Sequence, residues 1–256
     1  MSRPSLKELY LAHEAKVAQK WEAYFGVYER VLAPLRDAQI SLLEIGVQNG
    51  GSLEIWAKYF ASAKVILGCD INQRVAALVF DDPRIDVVAA DANSEFAYQD
   101  IVSLCPRFDL IIDDGSHHSR DVVASLLRYF PMLAPGGLYI IEDLHTSYWD
   151  KYGGGVAAER SSVAFLKTLA DLIHAEFWKD QDSAAARAFF PEGAPDYLRN
   201  GVLESVEIAN SMAVLRRAAR PAGLGKAVIA GKEALIAPSL LEVRERQAAG
   251  VIVTPQ

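Results

Sequence analysis

Two acidic clusters, each directly after a short apolar run, carry most of the chemistry that this sequence suggests. The first is Asp113-Asp114-Gly115-Ser116-His117, and the second is Glu142-Asp143. Short apolar runs bounded by Gly and Pro are typical of buried parallel strands. Ligands of open α/β sheets bind outside the carboxyl ends of such strands, where both clusters would lie. Carboxylates and an imidazole that meet there suit a hard divalent cation with a general base beside it.

Three carboxylates from two neighbouring strand ends would leave metal coordination positions open for a substrate diol or hydroxyl. Coordination would lower the pKa of that hydroxyl. A single acidic pair is more often a solvated loop, but two pairs at two successive strand ends favour a functional site. We expect the neighbouring His118 to be a helix-entry or surface residue.

A glycine-containing turn, Gly46 to Gly51, follows the first predicted strand and precedes a helix that Ser52 could cap. Asp70 ends the next strand, where a carboxylate can accept both hydroxyls of a ribose. The spacing is not that of a dinucleotide fingerprint, and an ordinary turn is the alternative. The acidic residue favours ligand binding. Asp91 ends the third strand, where a contact to a base edge and a solvated loop are equally open readings.

The elements that must position these residues alternate along the chain. This order predicts an α/β fold of the Rossmann-like kind, a mostly parallel sheet with an antiparallel C-terminal hairpin and helices on both faces. A turn is predicted over 133–137. The predicted strands are 40–45, 64–69, 85–89, runs that end at Asp113 and Glu142, and the pair 205–208 and 212–215; the predicted helices include 5–36, 119–130 and 161–180.

Composition limits the partners that we expect. The 256 residues carry a formal charge of −7, so no basic face for nucleic acid is implied. No apolar stretch has membrane-spanning length, and residues 1–7 lead into a charged predicted helix, so we expect neither a membrane span nor a signal peptide. Cys69 and Cys105 stand in no metal-binding or redox spacing. We therefore expect a cytoplasmic globular protein with no nucleic-acid and no membrane partner.

Aromatic residues near the second cluster and near the N-terminus have two readings each. Tyr148 and Trp149 could wall a sugar or aromatic substrate, or pack their loop against neighbouring helices. Lys20-Trp21 and Tyr28 could cover the site as a lid. Their spacing alone favours an ordinary helix packing face.

These residues resemble a known family. The turn after the first strand, Asp70, the first cluster and Ile140-Ile141-Glu142-Asp143 are similar to class I S-adenosylmethionine-dependent methyltransferases. The strings D-D-G-S-H and E-D-x-x-T-S-Y-W are more specific. They resemble the metal-dependent sugar O-methyltransferases of macrolide biosynthesis and their relatives in cephalosporin-type clusters. The similarity covers roughly residues 15–215.

The resemblance implies S-adenosylmethionine as methyl donor, Mg²⁺ or Mn²⁺ as metal and a small glycosylated molecule as acceptor. It implies His117 as the general base. The implied metal ligands are Asp114, Glu142 and Asp143, and the implied donor contacts are Glu44, Gly46, Gly50, Asp70, Asp91 and Asp113.

The pattern along the chain also predicts a domain organisation. Residues 1–38 would form a helical lid or oligomerisation segment, 39–217 the methyltransferase domain and 218–256 a peripheral extension, in a chain that forms a homo-oligomer. Two alternatives stay open: a catechol-type O-methyltransferase acting on a small aromatic diol, and a non-catalytic scaffold that binds S-adenosylmethionine for another tailoring enzyme.

Overall fold

The computed structural model describes residues 3–178, 184–221, 223–225 and 227–248. Within these residues one sheet has the strand order β3-β2-β1-β4-β5-β7-β6. Strands β1 to β5 are parallel, and β6 and β7 form the antiparallel hairpin that the sequence predicts. The strands are β1 Ser41–Ile45, β2 Val65–Asp70, β3 Ile85–Ala89, β4 Phe108–Asp113, β5 Leu133–Ile141, β6 Leu203–Ala209 and β7 Met212–Arg217.

Helices pack against both faces of the sheet because the strands are apolar on both sides. Leu43 and Ile111 belong to one buried cluster, whereas the adjacent Leu42 and Leu110 belong to the other. This alternation is the period-two pattern of a strand covered on both faces. The helices are α1 Leu6–Leu11, α2 Glu22–Leu32, α3 Gly51–Tyr59, α4 Glu95–Leu104, α5 Ser119–Tyr129, α6 Ser162–Ile173, α7 Ala184–Phe189 and α8 Ser239–Ala248.

The prediction of one helix over 5–36 is wrong in its middle. Helix α1 ends at Leu11, and the chain is not helical again until Glu22. Val17 and Trp21 completed the apolar stripe in the sequence, but their side chains are 69% and 54% exposed. Without burial of an apolar face, little favours helix in this stretch. We call residues 12–21 the N-terminal crossing segment.

Three smaller predictions also differ from the structure. Residues 133–137 are not a turn but the start of β5, which pairs with β4 through a shift in register. Helix α6 ends at Ile173, short of the predicted 180, and residues 179 and 180 lie outside the described part of the chain. Gly50, not Ser52, is the N-cap of α3.

The register of the sheet aligns the strand ends that carry the acidic residues. Ile45 at the end of β1 pairs with Cys69 and with Asp113, and Asp113 pairs with Ile141. The residues that follow these positions therefore meet at one edge of the sheet, as the sequence predicts for parallel strands.

The chain divides into two compact units, Met1–Pro221 and Ala222–Gln256. The first contains the whole sheet, and the second contains α8. Among the described residues, no helix has the length and apolar character needed to cross a membrane.

Candidate active site

A cavity of about 320 Å³ opens at the carboxyl ends of β1, β2 and β4. Of the predicted donor contacts, four line this cavity: Gly46, Asp70, Asp91 and Asp113. The predicted metal ligand Asp114 lines it as well. Glu44 and Gly50 are not among its lining residues.

Asp70 holds the turn after β1 in place. Its Oδ2 accepts hydrogen bonds from the backbone N–H groups of Val47 at 2.8 Å and Gln48 at 2.9 Å. Gly46 has a φ of +96°, and a Cβ there would lie 2.1 Å from the carbonyl oxygen of Asp114. The turn therefore needs glycine at this position, because the end of β4 passes too close for any side chain.

Glu44 lies inside the protein and supports the start of α3. Its carboxylate accepts hydrogen bonds from Ser52 Oγ at 2.6 Å and from Trp56 Nε1 at 3.0 Å. Burial raises the pKa of Glu44, although these donors and Lys20 oppose the shift. Gly50 has a φ of +85° and caps α3. In this structure Glu44 and Gly50 therefore stabilise the start of α3.

Asp113 is the most deeply buried carboxylate of the cavity wall. Burial raises its pKa to about 7, against the opposing hydrogen bond that Tyr139 OH donates to Oδ2 at 3.2 Å. Asp91 accepts a 2.9 Å hydrogen bond from the backbone N–H of Asn93 and so closes a turn after β3. Both residues line the cavity, Asp113 at the end of β4 and Asp91 two residues after the end of β3.

Asp114, His117 and Asp143 form a cluster in which one potential metal-ligand atom from each lies within 4.8 Å of the others. His117 Nε2 is 3.4 Å from Asp143 Oδ2. His117 and Asp143 both have left-handed backbones, with φ of +57° and +56°. Such conformations are costly for residues other than glycine and occur preferentially at functional sites.

Glu142, the third predicted ligand, faces a buried lysine. Lys20 Nζ lies 2.5 Å from Glu142 Oε1 and 2.8 Å from Asp114 Oδ2, and only 1% of the Lys20 side chain is exposed. Tyr28 OH also donates to Glu142. Burial alone would lower the pKa of Lys20, but Glu142 and Asp114 raise it well above its ordinary value. Lys20 therefore carries its charge inside the site.

His145 is a second imidazole in the site that the sequence analysis did not single out. Its Nδ1 is 2.6 Å from Ser211 Oγ and 3.9 Å from Asp143 Oδ1. It lies within the same E-D-x-x-T-S-Y-W string, two residues after Asp143, and that proximity was the available signal. His118 is the N-cap residue of α5, as expected of a helix-entry position.

Comparison with known proteins identifies the domain. Residues 43–144, which contain the turn, Asp70 and the first cluster, match a family model described as a methyltransferase domain. The chain carries a domain of this methyltransferase family.

The methyltransferase domain has named relatives. The chain is 39% identical over 185 residues to the 8-demethyl-8-alpha-L-rhamnosyl tetracenomycin-C 2'-O-methyltransferase of Streptomyces olivaceus, covering 68% of this chain and 47% of that protein. It is 33% identical over 187 residues to the mycinamicin VI 2''-O-methyltransferase of Micromonospora griseorubida, covering 69% and 43%. The chain thus spans about half the length of the curated relatives that it matches.

A solved structure agrees with this relationship. The MycE methyltransferase of the mycinamycin biosynthetic pathway, in complex with Mg, SAH and mycinamycin VI, superposes with a TM-score of 0.69 at 28% identity. The match covers 84% of this chain and 54% of MycE. The superposition confirms the Rossmann-like methyltransferase fold that the sequence predicts, a mostly parallel sheet with an antiparallel C-terminal hairpin.

Proposed function

We propose that this methyltransferase transfers the methyl group of S-adenosylmethionine to a sugar hydroxyl of a small glycosylated molecule, with a divalent cation. The observation that carries the proposal is the position of Asp114. Asp114 lines the cavity in which we place the methyl donor, and its carboxylate belongs to the cluster with His117 and Asp143. The methyl donor and the acceptor hydroxyl can therefore bind next to the same residue, and in-line transfer requires this proximity.

The residues fit Mg²⁺ or Mn²⁺. Asp114 and Asp143 offer carboxylate oxygens, the ligands that hard cations prefer. The structure groups these two residues with His117, whereas Glu142 lies outside that group and contacts the ammonium of Lys20, as does Asp114 Oδ2. We propose that Asp114, Glu142 and Asp143 hold the metal. The bound cation supplies positive charge that lowers the pKa of the acceptor hydroxyl.

We propose that His117 is the general base. Asp143 can orient the ring through Nε2, 3.4 Å from its Oδ2, which leaves Nδ1 free to accept the hydroxyl proton. The acceptor oxygen then forms a bond to the methyl carbon as the carbon–sulfur bond breaks, and S-adenosylhomocysteine leaves with the electron pair. His145 is the second candidate for this role, since it also lies beside Asp143 and next to an open cleft.

The experiment is transfer of a labelled methyl group from S-adenosylmethionine to rhamnosylated acceptors and to catechol. We expect labelled product with the glycosides only, its loss with EDTA and its return with Mg²⁺ or Mn²⁺. Full turnover in chelator, with metal-free protein confirmed by elemental analysis, would remove the metal from the proposal. Preferred methylation of catechol would favour the catechol-type alternative, and donor binding without transfer to any acceptor would favour the scaffold.

The remaining parts of the proposal concern the protein's surroundings. We propose that it acts in the cytoplasm, with no nucleic-acid or membrane partner, and as a homo-oligomer in which residues 1–38 form a lid or oligomerisation segment. The buried contacts of Lys20 support the placing of that segment at the site. Light scattering after gel filtration measures the oligomeric state directly.

A further inference from the structure

A second cleft, of about 500 Å³, opens beside the cluster that contains Asp143. Four aromatic rings line it, those of Trp21, Tyr24, His145 and Trp149, and the His145 ring contacts both indoles. The centroid of the His145 ring lies 6.2 Å from the ring centroid of Trp21 and 4.9 Å from that of Trp149, at interplanar angles of 89° and 72°. We call this space the tryptophan cleft.

The two indoles of the tryptophan cleft are left open to solvent. Trp21 is 54% exposed and Trp149 is 51% exposed, although each makes an edge contact with His145. Large aromatic side chains gain most when their faces are covered, and exposed pairs of this kind typically mark binding sites. The structure therefore provides apolar surface without a partner in the described part of the chain.

A chain of hydrogen bonds connects the lining of the cleft to Asp143 of the acidic cluster. Tyr24 OH donates to Asp143 Oδ1 at 2.6 Å and lies 2.7 Å from Ser211 Oγ, which in turn lies 2.6 Å from His145 Nδ1. Tyr24, Ser211 and His145 all line the cleft. A molecule in the cleft would thus have polar groups at the end near Asp143 and the two indoles farther along.

The volume and lining of the tryptophan cleft select a class of ligand. Clefts of about 300–1,000 Å³ hold drug-sized molecules, mostly through apolar contacts with a few polar groups that fix orientation. Among the described residues, Glu22 is the only carboxylate that lines this cleft, and Asn210 is neutral. A flat, uncharged ring system therefore fits better than a phosphorylated or strongly anionic molecule.

We propose that the tryptophan cleft binds the aglycone of the acceptor, a planar and largely apolar ring system stacked on Trp21 and Trp149. This inference rests on the proposed function, because the sugar carried by that aglycone would lie toward Asp143. The two indoles then determine acceptor specificity, and the acidic cluster determines which hydroxyl reacts.

The test uses 2-naphthol as a probe of the aglycone alone and measures its affinity by saturation-transfer NMR on the full chain, without methyl donor. We expect binding to the wild type and at least about fivefold weaker binding to Trp149→Ala and to Trp21→Ala, because each loses an aromatic stacking face. Trp149→Phe keeps a ring and should retain most of the affinity. Phe177→Ala is the matched control, since Phe177 is 51% exposed but does not line the cleft.

The outcomes separate this inference from the proposed function. No binding of 2-naphthol to the wild type at millimolar concentration would overturn the inference. A loss smaller than about fivefold in either alanine variant, or an equal loss in Phe177→Ala, would also overturn it. Thermal unfolding of each variant shows whether it is folded. Failure of methyl transfer refutes the proposed function instead, and it leaves the naphthol measurement unaffected.

Discussion

Lys20 places its ammonium group between the carboxylates of Asp114 and Glu142, where solvent does not reach it. Burying charges costs free energy that a close partner only partly returns, so each member of the group depends on the others. Burial also raises the pKa of Glu142 above its ordinary value, and Lys20 is the main group that opposes this shift. Without a metal, Lys20 is the cation that holds the acidic strand ends together.

Replacement of Lys20 by Met should therefore destabilise the metal-free protein by about 3–5 kcal/mol, the usual cost of removing one partner of a buried pair. Mn²⁺ should stabilise this variant more than the wild type, since it supplies the missing charge. Urea denaturation with and without Mn²⁺ measures both effects. Lys20→Met/Glu142→Gln should recover much of the loss. Lys64→Met, at an exposed position, is the control; equal stability of Lys20→Met and Lys64→Met would contradict the account.

His117 and His145 flank the same carboxylate, so substitution can decide which of them accepts the proton. We expect His117→Ala to retain donor and metal binding but to lose at least about a hundredfold in turnover, the lower range for a positioned base. His145→Ala and His118→Ala should lose far less. Single-turnover assays and calorimetric titration of S-adenosylhomocysteine separate chemistry from binding. A larger loss in His145→Ala would move the base to that residue.

At the level of elements, the N-terminal crossing segment is packed tightly over the start of α3. The site of a Cβ on Gly51 lies 2.1 Å from the carbonyl oxygen of Lys16 and 2.6 Å from that of Val17. Lys16 also forms an ion pair with Glu54 of α3, with 2.5 Å between Nζ and Oε1. The same segment then delivers Lys20 to the acidic cluster. The segment thus connects α3, which follows the turn after β1, to the predicted metal ligands Asp114 and Glu142.

The close packing at Gly51 predicts a clear stability difference between two glycine substitutions. Gly51→Ala should destabilise the protein by about 1–3 kcal/mol, as overpacking against backbone does. Gly26→Ala, in α2 with nothing within 4 Å of the added carbon, should instead stabilise it by about 0.5–1 kcal/mol. Chemical denaturation of both variants tests the pair. Equal effects would show that the crossing segment does not pack on α3 in solution.

Local sequence patterns predicted the elements that bury continuous apolar faces. They failed where contacts between residues far apart in the sequence determine which side chains meet. Strands β1 to β5 end close to the predicted positions because their apolar runs end there. No local pattern shows that Lys20 meets Asp114, 94 residues away. Nor does a local pattern show that the Glu44 carboxylate accepts hydrogen bonds from Ser52 and Trp56 instead of lining the cavity. The acidic strand ends were predictable because parallel strands bring their carboxyl ends together; the partners from other elements were not.

For the whole molecule, folding depends on the unit Met1–Pro221, which contains the sheet and both buried clusters. Ala218 is the last residue of the buried core, and no described residue after 221 is buried. Apolar burial is the main source of stability, so the second unit, Ala222–Gln256, should add little to that of the first.

A chain that ends at Pro221 should therefore fold, with a free energy of unfolding within about 0.5 kcal/mol of the full chain, the usual range for changes away from the core. It should also bind S-adenosylhomocysteine with unchanged affinity, because every residue that lines the donor cavity precedes residue 126. Urea denaturation and calorimetric titration on the two chains make the comparison. A broad or strongly shifted unfolding transition would mean that residues beyond 221 are part of the folded core. Weaker donor binding with unchanged stability would instead place those residues at the site.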